Sequence, residues 1–92
     1  MAEYRTYKDL DIWKKARSLV KEVYLVTRNF PKDEMYGLMS QMRRCAVSIP
    51  SNIAEGSNRG NTHFIHFLNI SLGSSFELQT QLLIANMHKY VV

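Results

Sequence analysis

The small and apolar positions of the chain fall into three helical series. Trp13, Ala16, Val20, Val23, Thr27 and Phe30 recur at steps of 3, 4, 3, 4 and 3, which is the seam of an amphipathic helix. Ile12, Leu19 and Val26 widen that face. Asp9 stands where an N-cap belongs. Asn29-Phe30-Pro31 ends the series, because a residue before proline is pushed out of helical geometry. A helix is therefore expected over residues 10–28, after a short arm, residues 1–8, that carries Tyr4 and Tyr7.

Pro31-Lys32-Asp33-Glu34 has the chemistry of a helix start: proline suits the first turn, and the acids complement the dipole. Met35, Leu38, Met42, Cys45 and Ile49 follow at steps of 3, 4, 3 and 4, with Met39, Ala46 and Ile53 as a companion row. The second helix is expected over residues 33–55, kinked at Pro50, which removes the bond to the Ala46 carbonyl. Gly56 is the expected C-terminal stop, and residues 56–61 make a loop by composition.

The third helix is expected over residues 62–89, capped by Asn61 or Thr62. Phe64, Phe67, Ser71, Ser75, Leu78, Leu82 and Ala85 form its seam, with Leu68, Leu72, Gln79 and Leu83 alongside. Residues 61–92 carry only Lys89 and Glu77 as charges. A helix uncharged around its circumference is buried on more than one side. Its small-residue waist, Ser71-Leu72-Gly73-Ser74-Ser75, implies close approach of another helix, with Trp13 as a candidate neighbour, since a mid-helix glycine costs about 1 kcal/mol against alanine.

The expected fold is all-α: an up-and-down antiparallel bundle of the four-helix type, to which this 92-residue chain supplies three helices and not the fourth. One side of the third helix is then left for a fourth helix or for neighbouring subunits. Ninety-two residues make one domain with a modest core, and assembly into a homo-oligomer would add burial. Cys45 is the only cysteine. A single thiol and a polar N-terminal stretch fit a reducing cytoplasm. No apolar run approaches the ~18 residues of a membrane span, so no membrane partner is expected.

Charge adds a direction. The net charge is +4, concentrated towards the front of the chain. Lys14, Arg17, Lys21 and Arg28 fall within about 60° of one another at 100° per residue. Like charges at these spacings repel, and an anionic partner would relieve the repulsion. The plainer alternative is a solvated face whose long stems cover apolar edges. Arg43 and Arg44 diverge by about 100°, so one can face helix 1 while the other meets another helix. Arg44, Ser48, Ser51, Asn52 and Glu55 share a polar stripe. A structural or inter-subunit role is expected for Arg44, Asn52 and Glu55, and Glu55 can pair with Arg59 four residues on.

Catalytic chemistry finds little to use. His63 and His66 lack the further ligands that zinc needs, and His88 is isolated. Glu55 has no second acid, base or metal at useful spacing. Cys45 lies on an apolar row and is expected to be buried and inert. No metal site, no cofactor and no enzymatic activity are expected.

Several stretches are familiar in combination: Asp9-Leu10 with Trp13, Phe30-Pro31 with Tyr36-Gly37-Leu38, the run from Gln41 through Arg43-Arg44-Cys45-Ala46-Val47-Ser48-Ile49-Pro50-Ser51-Asn52-Ile53-Ala54-Glu55-Gly56, then Arg59, Phe67-Leu68, Gly73-Ser74, Glu77-Leu78 and Thr80-Gln81-Leu82. Together they resemble the bacterial four-helix-bundle family encoded in intervening sequences of 23S ribosomal RNA genes. That family includes the accessory variability determinant of diversity-generating retroelements. The resemblance implies a four-helix protomer in a homopentameric ring. In the retroelement branch it implies a basic surface that binds nucleic acid and a reverse transcriptase. Two departures are visible: His63 stands where members often carry an acid, and members continue past Tyr90 into a fourth helix.

The leading functional expectation is a non-enzymatic scaffold for nucleic acid, RNA more than DNA. Lys14, Arg17, Lys21 and Arg28 would contact phosphates, supported by Lys15, Arg43 and Arg59. Such contacts would be salt-dependent and largely blind to sequence. Few aromatics are expected to be exposed beside the basic row, so stacking would be minor. Ser71, Gly73 and Ser75 would serve assembly. The alternatives are an adaptor that docks an acidic protein on the same face, or a purely structural ring.

Overall fold

The computed structural model describes residues 6–91, and every regular element among them is helical. Three long helices, α1 (Asp11–Thr27), α2 (Leu38–Gly56) and α3 (Asn61–Met87), run up, down and up. Short 3-10 turns at Tyr7–Asp9 and Lys32–Glu34 precede the first two. Both α1 and α3 pack on α2, and the backbones of α1 and α3 do not approach each other. This is the expected all-α bundle, three helices with no fourth among the described residues. The proposed arm's Tyr4 lies outside the described residues.

The element starts differ from the sequence reading for physical reasons. Asp9 does not cap α1. Its carboxylate accepts the Thr6 N–H at 3.3 Å and closes a capping box on the 3-10 turn, and α1 begins after Leu10. The second helix begins at Leu38 rather than Asp33. Residues 32–34 form a tight turn, and Glu34 folds back so that its Oε1 accepts the Leu38 N–H at 2.9 Å. Met35, expected on the buried row, is therefore exposed. The same carboxylate lies 3.2 Å from the Tyr90 hydroxyl, which donates to its Oε2. Burial and this carboxylate push the Tyr90 pKa up. Tyr90 also packs on Phe30, with ring centroids 5.4 Å apart. The end of α1, the start of α2 and the end of α3 are thus tied at one end of the bundle.

α2 runs unbroken through Pro50 and supplies the middle of the core. Met42, Cys45, Ala46, Ile49 and Ile53 are buried, against Ala16, Val23 and Phe30 on one side and Leu78 and Ala85 on the other. Side-chain hydrogen bonds stitch α2 to α3 inside this apolar contact. The Ser71 hydroxyl donates to the Ile49 carbonyl at 2.9 Å, and the Ser48 and Ser74 hydroxyls lie 2.8 Å apart. Asn52 donates to the Ser48 carbonyl within its own helix at 2.7 Å.

Gly56 stands at the expected end of the helix and has a second purpose there. It is the last residue of α2, and a Cβ there would stand 2.6 Å from the Phe67 Cβ. Glycine is needed because α3 crosses against the α2 backbone. The left-handed residue is Gly60, at φ 82°, immediately before α3. α3 stops at Met87 rather than residue 89, where Lys89 turns the chain at φ 60°.

Gly56→Ala is expected to lower stability by about 1 kcal/mol, the overpacking cost exceeding the helix-propensity gain. Urea unfolding followed by circular dichroism measures it. A variant more stable than the parent would contradict the close approach.

Candidate functional site

Three surfaces of the bundle could carry function. The first is the outer face of α1. Lys14, Lys15, Arg17, Lys21 and Arg28 are all exposed, and none of them pairs with a carboxylate among the described residues, where the only ion pair is Arg59 with Glu55 at 3.3 Å. Asp11, one turn before Lys14, does not reach it. Along the helix axis the row from Lys14 to Arg28 spans roughly 21 Å at 1.5 Å per residue.

α2 brings Arg43 to this face, while Arg44 lies between the groove beside Tyr24 and a cleft towards α3. The Arg43 Nε donates to the Thr27 hydroxyl at 2.9 Å, and its Nη2 lies 3.4 Å from the Tyr24 carbonyl. Its guanidinium sits 4.4 Å over the Tyr24 ring centroid. Thr27, fully buried, turns its hydroxyl to the Val23 carbonyl at 2.8 Å and so offers Arg43 a fixed lone pair. Arg17 is similarly placed 5.2 Å over the Trp13 ring. Few exposed aromatics were expected beside the basic row, and Tyr24 is the exposed one there, with two more half-buried. Tyr24 is 41% exposed, and Trp13 and Tyr7, 5.2 Å apart edge to face, are half-buried in a groove. The sequence signal was there: Trp13, Arg17, Val20 and Tyr24 fall within about 60° on the helix, but Trp13 and Val20 read as core.

Arg44 is exposed and makes no hydrogen bond or ion pair among the described residues. It lines a cleft of about 300 Å³ with Gln41, Cys45, Ser48 and Glu77. Asn52 and Glu55 do not join it in one network. Glu55 is held by Arg59, whose Nε also reaches the Glu55 carbonyl at 3.1 Å and whose guanidinium lies 5.4 Å over Phe67. Arg59 is therefore engaged at the loop between α2 and α3 and stands apart from the α1 row.

The second surface is the α2–α3 seam around Cys45. Its thiol donates to the Ser74 carbonyl at 3.0 Å. Burial, with the Glu77 carboxylate nearby, raises its pKa from 9.0 to about 11. Such a thiol is a poor nucleophile at neutral pH. No group of three or more metal-ligating side chains occurs among the described residues. His66 packs edge-on against Phe67 and His88 stacks on Tyr90. The buried Gln81 Oε1 has no hydrogen-bond partner among the described residues.

The third surface is the far side of α3. Ser71, Leu78, Gln81 and Ala85 bury the face towards α2. Leu72 (52% exposed), Phe76 (56%), Leu83 (66%) and Met87 (78%) stand in the open, at steps of 4, 7 and 4 that place them roughly opposite that face. The waist divides between the two sides. Ser71 faces α2, and Ser75 bonds its own Leu72 carbonyl at 2.7 Å. Gly73 is exposed, and a Cβ there would meet nothing within 4 Å. Trp13 is not its neighbour; it lies beside Val47, Pro50 and Ala54 on the other side of α2. No helix among the described residues is long and apolar enough to cross a membrane.

Residues 8–92 match the family model described as "23S rRNA-intervening sequence protein". No curated protein matches the chain.

Cys45 should alkylate about a hundredfold more slowly at pH 8 than an ordinary thiol, from its two-unit shift. Its folded pKa exceeds its unfolded value, so its contribution to stability is full below about pH 9 and fades as pH rises through about 11. Iodoacetamide labelling across pH, read by mass spectrometry, checks this. Labelling at a free-thiol rate would contradict the buried, protonated state.

Proposed function

The chain belongs to the 23S rRNA-intervening sequence protein family, and from that premise and the unpaired cations of α1 we propose a non-enzymatic, oligomeric scaffold that binds nucleic acid, RNA in preference to DNA. The observation that carries this reading is the row Lys14, Arg17, Lys21 and Arg28, exposed and without an acidic partner among the described residues. Unpaired cations on one rigid helix face fit a line of phosphates, and each neutralised phosphate releases condensed counterions. Lys15 is exposed too, about 100° round the helix from Lys14. Arg43 joins it from α2, held in place by Thr27 and Tyr24. Arg59 contributes less, because Glu55 already neutralises it.

Assembly of identical chains is proposed through the outer stripe of α3. Leu72, Phe76, Leu83 and Met87 are exposed on α3, whose only charged side chain is Glu77. Their heptad-like spacing suits a helix–helix seam, and the open space at Gly73 permits close approach. Pentamer geometry is what the family resemblance implies. The two surfaces lie on different helices, so a ring could form while its basic faces stay open to RNA.

Lys14→Glu combined with Lys21→Glu is expected to weaken binding of a structured RNA more than tenfold in low salt, with helicity unchanged. It should also flatten the salt dependence of binding, since about one counterion is lost per cation removed. Fluorescence anisotropy over a salt series measures both, and unchanged affinity would remove the α1 assignment. Phe76→Glu is expected to reduce the mass in solution to that of a single chain without loss of helicity. An unchanged assembled mass would move the contact elsewhere.

A further inference from the structure

Two grooves lie end to end between α1 and α2. One, of about 330 Å³, is lined by Tyr7, Trp13 and Arg17 together with Pro50 and Ala54. The other, of about 400 Å³, is lined by Tyr24, Arg43, Ser40 and two methionines. Val20 and Val47 line the first and Val47 also lines the second, so one apolar floor joins them. Each groove holds an arginine over an aromatic ring, Arg17 over Trp13 and Arg43 over Tyr24. Trp13 and Tyr24 are eleven residues apart on α1, roughly 16 Å along its axis. Lys14, Lys21 and Arg28 stand on the α1 lip beside this strip.

We propose that this α1–α2 groove is a stacking lane for single-stranded RNA: unpaired bases lie on the Trp13–Arg17 and Tyr24–Arg43 pairs while the phosphates follow the lysines of the lip. The proposal rests on the nucleic-acid reading above and adds the form of the ligand. An exposed guanidinium plane or aromatic face stacks any base, whatever its sequence. Arg43 is suited to this because its edge is already held by Thr27 and the Tyr24 carbonyl. Its plane needs no reordering when a base arrives, and its remaining N–H groups can meet a phosphate. An apolar floor at Val20, Val47 and Met39 shields the stack from water. Duplex RNA cannot use the lane, since its bases are already stacked inside the helix. It would touch only the rim cations. An acidic peptide would also use the cations and leave the ring and guanidinium faces idle.

The protein carries a single tryptophan, Trp13, which lies in the lane and reports on it. The test titrates the full chain with a single-stranded 12-mer and with a duplex of equal charge, following Trp13 emission and anisotropy together. The single strand is expected to bind more tightly and to quench Trp13; the duplex is expected to leave Trp13 unchanged. Tyr24→Ala should cut the preference for the single strand roughly tenfold, the size of one lost base stack, and Tyr24→Phe should restore most of it. Equal affinities with unchanged emission would overturn the lane and leave the phosphate contacts standing. Displacement of the single strand by polyglutamate of equal charge, at equal concentration, would also overturn it. If neither RNA binds, the lane and the nucleic-acid reading fail together.

Discussion

Both outer helices are held mainly by α2. α1 packs on one side of it and α3 on another, and among the described residues the backbones of α1 and α3 do not approach each other. Small residues at the crossings make this possible. Ala46 is fully buried between the two neighbours, and Gly56 lets the Phe67 side chain approach the α2 backbone. Bulkier residues would push one helix away, and a chain of this size has little core to spare. The polar stitches at Ser48, Ser71 and Ser74 fit the same constraint. They join α2 to α3 through short hydroxyl side chains.

The three-legged arrangement explains why the surfaces are so unlike. α1 turns its apolar seam to α2 and its cations outward, where only solvent or an anion can meet them. α3 has almost no charge to turn outward, so its second apolar stripe is exposed in the single chain. An exposed stripe of this kind is an interaction surface or a liability. A groove remains between α1 and α3 as well, lined by Ile12, Ile49, Ile53, Leu68 and Leu72. Its volume is about 360 Å³. The chain is therefore polar on one long side and apolar on another. That division would keep the proposed polyanion site apart from the proposed contact between like chains.

Much of this was legible in the residues. The helix count, the α2 core row and the Glu55–Arg59 pair follow from spacing alone. The errors were local. Periodicity cannot show that the Glu34 carboxylate caps Leu38, so the start of α2 moved by five residues and took Met35 out of the core. Gly56 looked like a turn residue because spacing carries no information about a crossing backbone. The Trp13–Tyr24 line was missed for a subtler reason. Trp13 stands at a seam position, where a large aromatic is normally core, but Val47, Pro50 and Ala54 of α2 leave it at the edge of an open groove. The outer stripe of α3 was visible as a lack of charge, but the sequence could not say which side of the waist faced α2.

The most direct measurement is the solution mass by light scattering, with and without RNA, at low and at moderate salt. The account predicts an assembled particle that gains RNA mass at low salt and loses it at moderate salt, because the contact is a row of lysine and arginine side chains on phosphates. A particle that takes up no RNA at either salt would contradict the account at its centre: the free cations of α1 would then be a solvated face and nothing more.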